Sequence, residues 1–543
     1  MRSTMGSMPL SVAMMLRRAA ATGPYGRLVG MTAAGRAGRT WPELARRARQ
    51  VAAALPGLRV APGDRVGTFA WNSLRHLELC YGVPMAGAVL QPLNVRLFAD
   101  QIAWIAAHAG DTVVFVEASL TTRLAEIRPK LPGVRRYVVL PDGTPPHPDF
   151  ADAVDYEELI AGMPDDEPAE VDEWAAACLC YTGGTTGRPK GVVYSHRSLT
   201  LHAMSGLFAD SFAIRERDVL LPLTPLFHAT AWGMPYSAAL AGASLVLAGP
   251  DTSPQAVLRL LREERVTVAA GVPTFWLAVD QLAPAGDDLG TLERILCGGS
   301  AIPAELIQRY HRRGVQMQQG WGMTEMSPSG SLTVVRGHLA GRPEAERLAL
   351  HATQGFATAG VELRVVAPTG EVLPHDGVSA GEIEARGPWV ASAYHRPEDD
   401  ANDSRFRDGW LRTGDVGTID PDGYLHLLDR AKDLVKSGGE WISSIELENH
   451  LMDHEAVAQA MVIAVPHPVW GERPAALVVA CAEVDAETLR AHLRTRVASW
   501  WVPDVVEFVA DLPATATGKF DKKRARELWQ DRLAALTSSG GMT

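Results

Sequence analysis

The sequence predicts an α/β fold in several units, and three observations support this interpretation. The chain has 543 residues, which corresponds to about three or four domains at roughly 150 residues each. Between about residues 60 and 300, short apolar runs alternate with helical stretches, a pattern typical of helices packed on a mostly parallel sheet. After about residue 355, short strands with Gly and Asp turns predict a barrel-like or antiparallel unit.

The individual elements follow from these runs. Six strands are predicted in the first part of the chain: Arg65–Ala70, Thr112–Val116, Tyr137–Leu140, Ala176–Tyr181, Val219–Leu223 and Ser244–Leu247. Three more are predicted in the antiparallel unit: Gly360–Val366, Gly381–Arg386 and Asp420–Leu428. A smaller unit follows Arg430, with helices predicted near Ile445–His454 and Ala486–Val497.

Composition and charge exclude several classes of protein. Hydrophobic residues make up 47% of the chain and charged residues 21%, values that exclude a largely disordered or collagen-like chain. The 52 Lys and Arg against 63 Asp and Glu give a formal net charge of −11, so no basic field favours a nucleic acid as partner. Any anionic ligand must therefore be held by local groups.

Cysteine usage and the N-terminus predict a compartment. The five cysteines are odd in number and scattered, and they lack any paired CxxC spacing, which disfavours a disulfide framework or a structural zinc site. The apolar patch Leu10–Leu16 ends at Arg17, too early for a secretory signal. No run reaches the roughly 20 apolar residues of a spanning helix. We therefore expect a cytoplasmic protein without a transmembrane segment.

A loop rich in Gly and Thr follows the predicted strand Ala176–Tyr181. Residues 182–191 read Thr-Gly-Gly-Thr-Thr-Gly-Arg-Pro-Lys-Gly, and by composition alone they fit either an ordinary turn or a phosphate-binding loop. In a phosphate loop, glycine lets backbone N–H groups approach the anion. The loop is not a Walker A motif, because Pro189 precedes the lysine and Gly191–Tyr194 continues as a strand.

The whole loop and five later motifs resemble the AMP-forming adenylating enzymes, which include acyl-CoA synthetases, peptide-synthetase adenylation domains and luciferases. The later motifs, in family order, are Gln319–Glu325, Gly381–Ile383, Gly409–Asp415, Asp429–Asp433 and Pro513–Lys519. The resemblance covers roughly residues 10–530 and implies two domains. Residues 1–430 would form a large domain of two αβα sheet subdomains plus a β-barrel-like subdomain, and residues 431–543 a small, mobile α+β domain.

The resemblance implies an ATP site. The phosphates would be bound by Thr182, Gly183, Gly184, Thr185, Thr186, Gly187 and Lys190. The adenosine side would be formed by Gly298, Gly299, Ser300, Gly320, Trp321, Thr324, Asp415 and Arg430, with adenine against Trp321 and the ribose on Asp415. Thr182 and Glu325 would hold Mg²⁺, a cation that prefers oxygen ligands. Lys519 would bridge the carboxylate and the α-phosphate, supplying positive charge where two anions meet.

The resemblance also implies a second step that uses coenzyme A. Lys432 would be the hinge that lets the small domain rotate. The segment Lys436, Gly438, Gly439, Glu440 and Trp441 would then form the wall of the pantetheine tunnel. The two glycines alone fit an ordinary turn equally well, but Gly-Gly-Glu-Trp is characteristic of the family's medium- and long-chain fatty-acid members.

The acyl pocket is assigned by the same resemblance. Its proposed wall consists of Phe227, His228, Trp232 and Tyr236, with Gly322 and Met323 from the Trp-Gly-Met motif. Peptide-synthetase domains carry an Asp at the position of His228, and an ammonium group buried without that partner would be costly, so an amino acid is disfavoured. Core packing remains the alternative for the aromatic residues, Tyr236 in particular. Gly322 is expected to leave open the pocket floor that a tryptophan closes in acetate-using relatives.

These expectations define a reaction. A medium- or long-chain fatty acid and Mg·ATP would give acyl-AMP and pyrophosphate, and the CoA thiol would then give acyl-CoA and AMP, with ATP, Mg²⁺ and coenzyme A as cofactors. Three alternatives stay open: an acyl-AMP ligase that serves a carrier protein, an aryl or short-chain acid:CoA ligase, and a catalytically inactive acyl-nucleotide sensor. A homodimer and a peripheral membrane contact also stay open.

Overall fold

The computed structural model describes residues 4–23, 25–182, 188–283, 289–397, 401–438, 440–515 and 520–539. The elements up to residue 160 are α1 (Val12–Thr22), β1 (Arg27–Thr32), β2 (Gly35–Thr40), α2 (Trp41–Ala54), β3 (Arg65–Phe69), α3 (Leu74–Met85), β4 (Val89–Pro92), α4 (Ala99–Ala109), β5 (Asp111–Glu117), α5 (Thr121–Ile127), β6 (Arg136–Leu140), β7 (Val154–Asp155) and α6 (Tyr156–Ile160).

The middle of the chain supplies the second set of elements. They are β8 (Ala176–Tyr181), β9 (Gly191–Ser195), α7 (His196–Ser205), β10 (Val219–Pro222), α8 (Ala229–Trp232), α9 (Met234–Ala241), β11 (Ser244–Leu247), α10 (Pro254–Glu263), β12 (Val268–Gly271), α11 (Pro273–Leu282), β13 (Arg294–Gly298), α12 (Ala304–Arg312), β14 (Gln316–Gly322), β15 (Ser329–Leu332), α13 (Glu344–His351) and β16 (Phe356–Ala357).

The last part of the chain contains mainly antiparallel strands. Its elements are β17 (Glu362–Val366), β18 (Val372–Leu373), β19 (Gly381–Arg386), α14 (Ala401–Arg405), β20 (Phe406–Arg407), β21 (Trp410–Ile419), β22 (Leu425–Arg430), β23 (Val435–Ser437), β24 (Glu440–Ile442), α15 (Ser444–Met452), β25 (Val457–His467), β26 (Gly471–Ala480), α16 (Ala486–Arg494), β27 (Val505–Phe508) and α17 (Lys522–Ser539).

Two large sheets form the first part of the fold. The first has the strand order β7-β6-β5-β3-β4-β8-β9 and is parallel except for β9. The second has the order β16-β15-β14-β13-β12-β10-β11-β1-β2 and is parallel from β14 to β1. The prediction of a mostly parallel arrangement between about residues 60 and 300 is therefore confirmed. The sequence did not reveal the β1–β2 hairpin, whose second strand is rich in Gly and Arg and largely exposed.

The helices between these sheets share one core. Trp41 of α2 donates its indole N–H to the carbonyl of Ala243 at 2.9 Å, and Tyr81 of α3 donates its hydroxyl to the carbonyl of Pro235 at 3.0 Å. All four residues lie in or beside the same buried cluster. Since these contacts join helices of the first sheet to the segment before β11, the two sheets cannot shift independently without exposing large aromatic side chains.

Antiparallel sheets form the rest of the fold. The third sheet has the order β18-β17-β19-β21-β20, with β22 paired to β21. The fourth has the order β24-β23-β26-β25, with β27 paired parallel to β26. Helices α15 and α17 both pack on β25. The third sheet ends at Arg430 and the fourth begins at Val435, so only a few residues connect them.

A buried polar network joins the third and fourth sheets. Asp429 Oδ2, at the end of β22, accepts the backbone N–H of Ser444 at 2.9 Å, and the Ser444 hydroxyl contacts the same carboxylate. Lys522 Nζ also contacts that hydroxyl and lies 2.8 Å from Glu448 Oε1. Because buried charges are tolerated only when they are paired and hydrogen-bonded, this network defines the relative orientation of the two units.

Among the described helices, none combines the length and the apolar character that crossing a membrane requires.

Glu78 of α3 is a deeply buried charged residue in the helical layers. Its side chain is fully buried, and Oε1 accepts from Arg39 at 2.9 Å and from Arg47 at 2.8 Å. Its Oε2 accepts the hydroxyl of Tyr156 at 2.6 Å. A single carboxylate therefore ties β2, α2, α3 and α6 together.

We expect Glu78→Gln to lower the free energy of unfolding by about 3–5 kcal/mol, the usual cost of removing one partner from a buried ion pair. Urea unfolding followed by tryptophan fluorescence measures the change. The matched control is Glu293→Gln, which removes a carboxylate from an exposed pair with Arg217 at 2.9 Å and should cost less than about 1 kcal/mol. Equal effects of the two substitutions would contradict the role of Glu78 as the buried carboxylate that ties these four elements together.

Candidate active site

A cavity of about 940 Å³ lies where the two large sheets, the third sheet and the C-terminal unit meet. It is bordered by the carboxyl ends of three strands: Thr182 follows β8, Gly298 ends β13 and Gly322 ends β14. In open α/β sheets, ligands bind in the crevice beyond the carboxyl ends of the strands. The position of the cavity therefore follows from the fold.

The cavity collects many of the residues predicted from the sequence. Its wall includes Thr182, Lys190, His228, Trp232, Gly298, Gly299, Gly320, Trp321, Gly322, Met323, Thr324, Glu325, Arg430 and Lys432. Other predicted residues lie elsewhere: Phe227, Tyr236, Ser300, Asp415, Lys436, Gly438 and Trp441. Outside the described residues are Gly183, Gly184, Thr185, Thr186, Gly187, Gly439 and Lys519, together with the side chain of Glu440.

The wall carries an excess of positive charge. Its described cationic residues are Arg96, Arg188, Lys190, Arg396, Arg405, Arg430, Lys432, Lys523 and Arg524, and its described carboxylates are Glu325, Asp521 and Glu527. The chain as a whole has a net charge of −11, so the local excess is a property of the cavity. Clefts lined by charges of one sign raise the local concentration of ions of opposite charge. The cavity therefore favours an anionic ligand.

The base of the Gly- and Thr-rich loop is closed by two hydrogen bonds. The Thr182 backbone N–H donates to the Lys190 carbonyl at 2.9 Å, and the Lys190 backbone N–H donates to Thr182 Oγ1 at 3.0 Å. These bonds continue the antiparallel pairing of β8 with β9 by one residue. Both ends of the loop are thus fixed at the cavity wall.

Glu325 faces the cavity from the turn after β14. Its Oε1 accepts the hydroxyl of Tyr394 at 2.6 Å, and Lys190 Nζ lies 5.0 Å from the centre of the Tyr394 ring. Burial and the neighbouring Glu325 carboxylate raise the pKa of Tyr394 above its usual range, so this hydroxyl keeps its proton as a donor. The contacts hold the Glu325 carboxylate beside the cationic loop base.

The residues fit a magnesium ion held jointly with phosphate. No group of three or more His, Cys, Asp and Glu side chains suited to a metal occurs within the described ranges. Glu325 and the Thr182 hydroxyl nevertheless line the same cavity and offer oxygen ligands. Mg²⁺ is usually bound by one or two protein oxygens plus substrate phosphates and water, so an all-protein cage is not required.

Trp321 is held by a buried carboxylate. Its indole N–H donates to Asp415 Oδ2 at 2.8 Å, and Arg430 Nε lies 3.5 Å from Asp415 Oδ1. The indole is nearly buried, and Gly330 approaches its six-membered ring so closely that a Cβ there would lie 2.8 Å from Cζ3. Gly330 therefore packs directly against the indole ring. Asp415 stands behind the wall formed by Arg430 and Trp321.

The apolar part of the wall lies beside Trp232. It includes Phe212, Ala229, Trp232, Leu296, Pro328 and Leu332, and the cavity wall has further apolar members in Leu97, Phe98 and Trp104. The Trp232 ring contacts the strand end at Gly298, where a Cβ would lie 3.4 Å from Cη2. This part of the cavity suits the apolar portion of a ligand.

Three predicted site residues lie outside the described cavity wall. Tyr236 is buried in the helical core, where its hydroxyl donates to the Cys80 carbonyl at 3.4 Å and its ring packs against Tyr81. Phe227 packs into the core of the first sheet and borders a space of about 20 Å³ that Thr182 and His228 of the cavity wall also line. Ser300 is exposed outside the cavity wall. Core packing, the alternative for the aromatic residues, describes Tyr236 and Phe227.

The C-terminal unit faces the cavity with one of its two predicted functional segments. Ala514 and Thr515, which precede the Lys519 position, line the wall together with Lys432 and the start of α17. Burial lowers the pKa of Lys432. The β23–β24 hairpin, which pairs Lys436 with Trp441, is not part of the described wall.

Two functional candidates were not found from the sequence. Tyr394 contacts Glu325 across 69 residues of sequence, and no motif surrounds it. His202 of α7 lies 3.1 Å from Ser329 Oγ in the cavity wall, and burial lowers its pKa to about 4, which keeps the ring neutral. Both depend on contacts between distant elements, so local patterns give no signal for them.

Comparison with known proteins adds independent findings. The family described as AMP-binding enzyme matches residues 16–395, and the family described as AMP-binding enzyme C-terminal domain matches residues 446–519. The chain is 42% identical over 533 residues to a long-chain-fatty-acid–CoA ligase of Thermus thermophilus, covering 97% of each protein. It is 41% identical over 544 residues to a 3-methylmercaptopropionyl-CoA ligase of Ruegeria lacuscaerulensis, covering 98% of this chain and all of that relative.

Further similarity extends to another ligase and to solved structures. A medium-chain-fatty-acid–CoA ligase of Ectopseudomonas oleovorans is 42% identical over 506 residues, 92% of each chain. The anthranilate CoA ligase AuaEII, solved with anthranoyl-AMP, has a TM-score of 0.85 at 26% identity over 97% of this chain and 99% of its own. ATP-bound MatB from Rhodopseudomonas palustris has a TM-score of 0.82 at 28% identity over 96% and 99%. The predicted fold class is confirmed.

Gly322 has a different role from the one expected. The ladder between β14 and β15 shifts register at Trp321 and Gly322, and a Cβ on Gly322 would lie 1.7 Å from the Pro328 carbonyl oxygen and 3.0 Å from the Gly330 nitrogen. The backbone of a neighbouring strand thus occupies the place of a side chain. The prediction that a tryptophan here would simply close an open pocket floor is wrong.

We expect Gly322→Ala to lower Tm and to reduce activity with every acid by a similar factor, because such overpacking typically costs about 1–3 kcal/mol and displaces residues 328–330. Thermal unfolding and kcat/KM for acids of different length measure both effects. Gly38→Ala is the matched control, since a Cβ there meets no atom nearer than 4.0 Å. An unchanged Tm in Gly322→Ala would show that the backbone of residues 328–330 can move away from the new methyl group with little loss of stability.

Proposed function

Because this chain belongs to the family of AMP-binding enzymes, we propose that it is an AMP-forming acid:CoA ligase whose substrates are medium- or long-chain fatty acids. The cofactors of this reaction are ATP, Mg²⁺ and coenzyme A. One observation carries the proposal: a single cavity joins a strongly cationic wall around Lys190 and Arg430 to an apolar wall around Trp232. A triphosphate and an acyl chain are the ligand parts that match these two walls.

The electrostatics suit the first step of the reaction. A carboxylate oxygen attacks the α-phosphorus of ATP, the bond to the bridging oxygen breaks, and pyrophosphate leaves. Two anions must approach each other, so cationic side chains that are already in place lower the barrier. Lys190, Arg430 and Lys432 lie in the described wall, and we assign Lys519 the position between carboxylate and α-phosphate.

The arrangement of the C-terminal unit supports an assignment of domains. We propose domains 1–430 and 431–543 with the hinge at Lys432, since the third sheet ends at Arg430 and the fourth begins at Val435. Residues 514 and 515 face the cavity, whereas the hairpin of Lys436 and Trp441 does not. This arrangement suits acyl-AMP formation, and rotation of the C-terminal domain would bring the hairpin to the cavity for thioester formation.

A second candidate substrate has equal support from the relatives. The 3-methylmercaptopropionyl-CoA ligase is 41% identical to this chain over a slightly longer alignment than the long-chain-fatty-acid–CoA ligase at 42%. Sequence identity to these relatives therefore does not decide whether the substrate is a fatty acid or a short thioether acid. The apolar wall of Phe212, Leu296 and Leu332 favours the longer chain.

The cysteines support a reducing compartment. All five are free, and four of them are buried. Free thiols persist where disulfides are kept reduced, so we propose the cytoplasm as the location of the protein. The homodimer and the peripheral membrane contact stay predictions.

The proposal is tested by acid-dependent release of AMP with and without CoA. The acids should run from acetate to palmitate and include 3-methylmercaptopropionate, benzoate and cinnamate. We expect CoA-dependent thioester formation, with kcat/KM highest for octanoate or longer acids. A maximum at 3-methylmercaptopropionate would select the second candidate, and AMP release without thioester formation would select an acyl-AMP ligase. The absence of turnover with every acid would favour an acyl-nucleotide sensor.

Lys519→Ala should abolish acyl-AMP formation and spare thioester formation from supplied acyl-AMP, because the ammonium group is needed only while two anions meet. Pyrophosphate exchange measures the first half-reaction, and release of AMP from synthetic acyl-AMP and CoA measures the second. The second assay is the internal control for folding. Equal losses in both assays would refute this role of Lys519.

A further inference from the structure

The segment between His228 and Gly233 has an unusual backbone. Ala229, Thr230, Ala231 and Trp232 have φ values of 40°, 41°, 52° and 56°, so four consecutive residues with side chains form a left-handed turn. Such a conformation costs about 1–2 kcal/mol per residue that is not glycine. It persists only where the surrounding structure imposes it, and such strain is concentrated at functional sites.

Backbone hydrogen bonds donated by Ala231 and Gly233, both at 3.1 Å, close the turn itself, and β8 supplies side-chain contacts that hold it in place. The Thr230 side chain is 1% exposed, and its Oγ1 lies 3.6 Å from Cys178 Sγ and 3.5 Å from Cys180 Sγ. The two thiols are alternate residues of one strand, and their sulfur atoms are 3.7 Å apart. Since side chains alternate along a strand, both thiols face the turn and the hydroxyl lies against the pair.

The turn carries two residues of the cavity wall. His228 lies immediately before it and Trp232 ends it, and both line the cavity. The Trp232 ring reaches the end of β13 at Gly298. On the other side, the strand with the two thiols leads directly to Thr182 at the base of the Gly- and Thr-rich loop. One strand therefore supports both the apolar and the phosphate side of the cavity.

We propose that Thr230 is a positioning residue: its hydroxyl, held by the Cys178 and Cys180 thiols, fixes the left-handed turn and thereby the Trp232 ring that limits the acyl chain. This inference rests on the proposed function for the identity of the substrate. It adds a determinant of chain-length preference that does not touch the acid. Removing the hydroxyl should free the Trp232 ring while the strand and the loop base stay in place.

The test compares Thr230→Val, which keeps the shape but removes the hydroxyl, with Thr230→Ser, which keeps the hydroxyl. Thr230→Val should raise KM for the preferred acid by roughly five- to tenfold, the effect of about one lost hydrogen bond. It should also flatten the dependence of kcat/KM on chain length. KM for ATP should change by less than about twofold, since Lys190 and Thr182 are untouched. Thr230→Ser should keep the wild-type profile.

Thr200→Val is the matched control. Thr200 is also fully buried, and its Oγ1 donates to the His196 carbonyl at 2.9 Å within α7. A loss of a buried hydroxyl that only destabilises the protein should lower Tm in both valine variants and leave the dependence of kcat/KM on chain length unchanged. A flatter dependence in Thr230→Val alone supports the proposal. An unchanged dependence in Thr230→Val overturns it, whatever the change in Tm.

A double-mutant cycle tests the thiol pair itself. If the hydroxyl acts through the thiols, Thr230→Val should have little further effect on the acid profile in a protein that carries Cys178→Ala and Cys180→Ala. Additive effects would overturn this part of the proposal. If Thr230→Val does not fold, Cys180→Ala is tested alone. It should change the dependence of kcat/KM on chain length in the same direction but by a smaller factor. An unchanged dependence in this variant would overturn the proposal. Wild-type turnover is measured first. A wild-type protein without turnover would contradict the proposed function, whereas an active wild-type protein with an unchanged Thr230→Val variant would contradict only the role of Thr230.

Discussion

The position of β8 is the constraint on which the candidate site depends. Its central residues are buried between β4 and β9. Leu179 packs with Val89 and Ala109 on one face of the strand, and the Cys178 and Cys180 thiols meet Thr230 on the other. The strand ends at the loop base, where Thr182 and Lys190 pair. A shift of one residue in its register would exchange these faces and displace both sides of the cavity together.

A second contact ties this frame to the second sheet. Tyr194 of β9 donates its buried hydroxyl to the Thr324 carbonyl at 2.6 Å, which fixes the start of the turn that carries Glu325. Glu325 in turn is held by Tyr394. A chain with a net charge of −11 thus concentrates cations in a cavity in which the Glu325 carboxylate has a fixed position. That arrangement binds a polyanion and still leaves an oxygen donor for its divalent counter-ion.

The sequence predicted the parts of this site that depend on local pattern. The strand Ala176–Tyr181 was predicted with its observed ends, because a short apolar run bounded by Gly-rich turns has few alternative conformations. Tyr236 was misassigned because the neighbouring sequence cannot show which face of α9 meets Tyr81. Gly322 was misread for a related reason: a missing side chain looks like open space, whereas the Pro328 backbone fills it. Tyr394 depends on a contact that the fold alone creates.

The network of Asp429, Ser444, Lys522 and Glu448 has a consequence for the proposed rotation about Lys432. Asp429 belongs to the third sheet and Ser444 to the C-terminal unit, so rotation must separate them. The loss is moderate, because a hydrogen bond to a charged group contributes only about 1.5–3 kcal/mol and water replaces it as the interface opens, while the Lys522–Glu448 ion pair lies within the C-terminal unit and is kept. The contact between Asp429 and Ser444 therefore specifies an orientation at a moderate cost of separation. If two reactions are to take place in turn in a single cavity, the C-terminal domain must have two orientations of similar free energy.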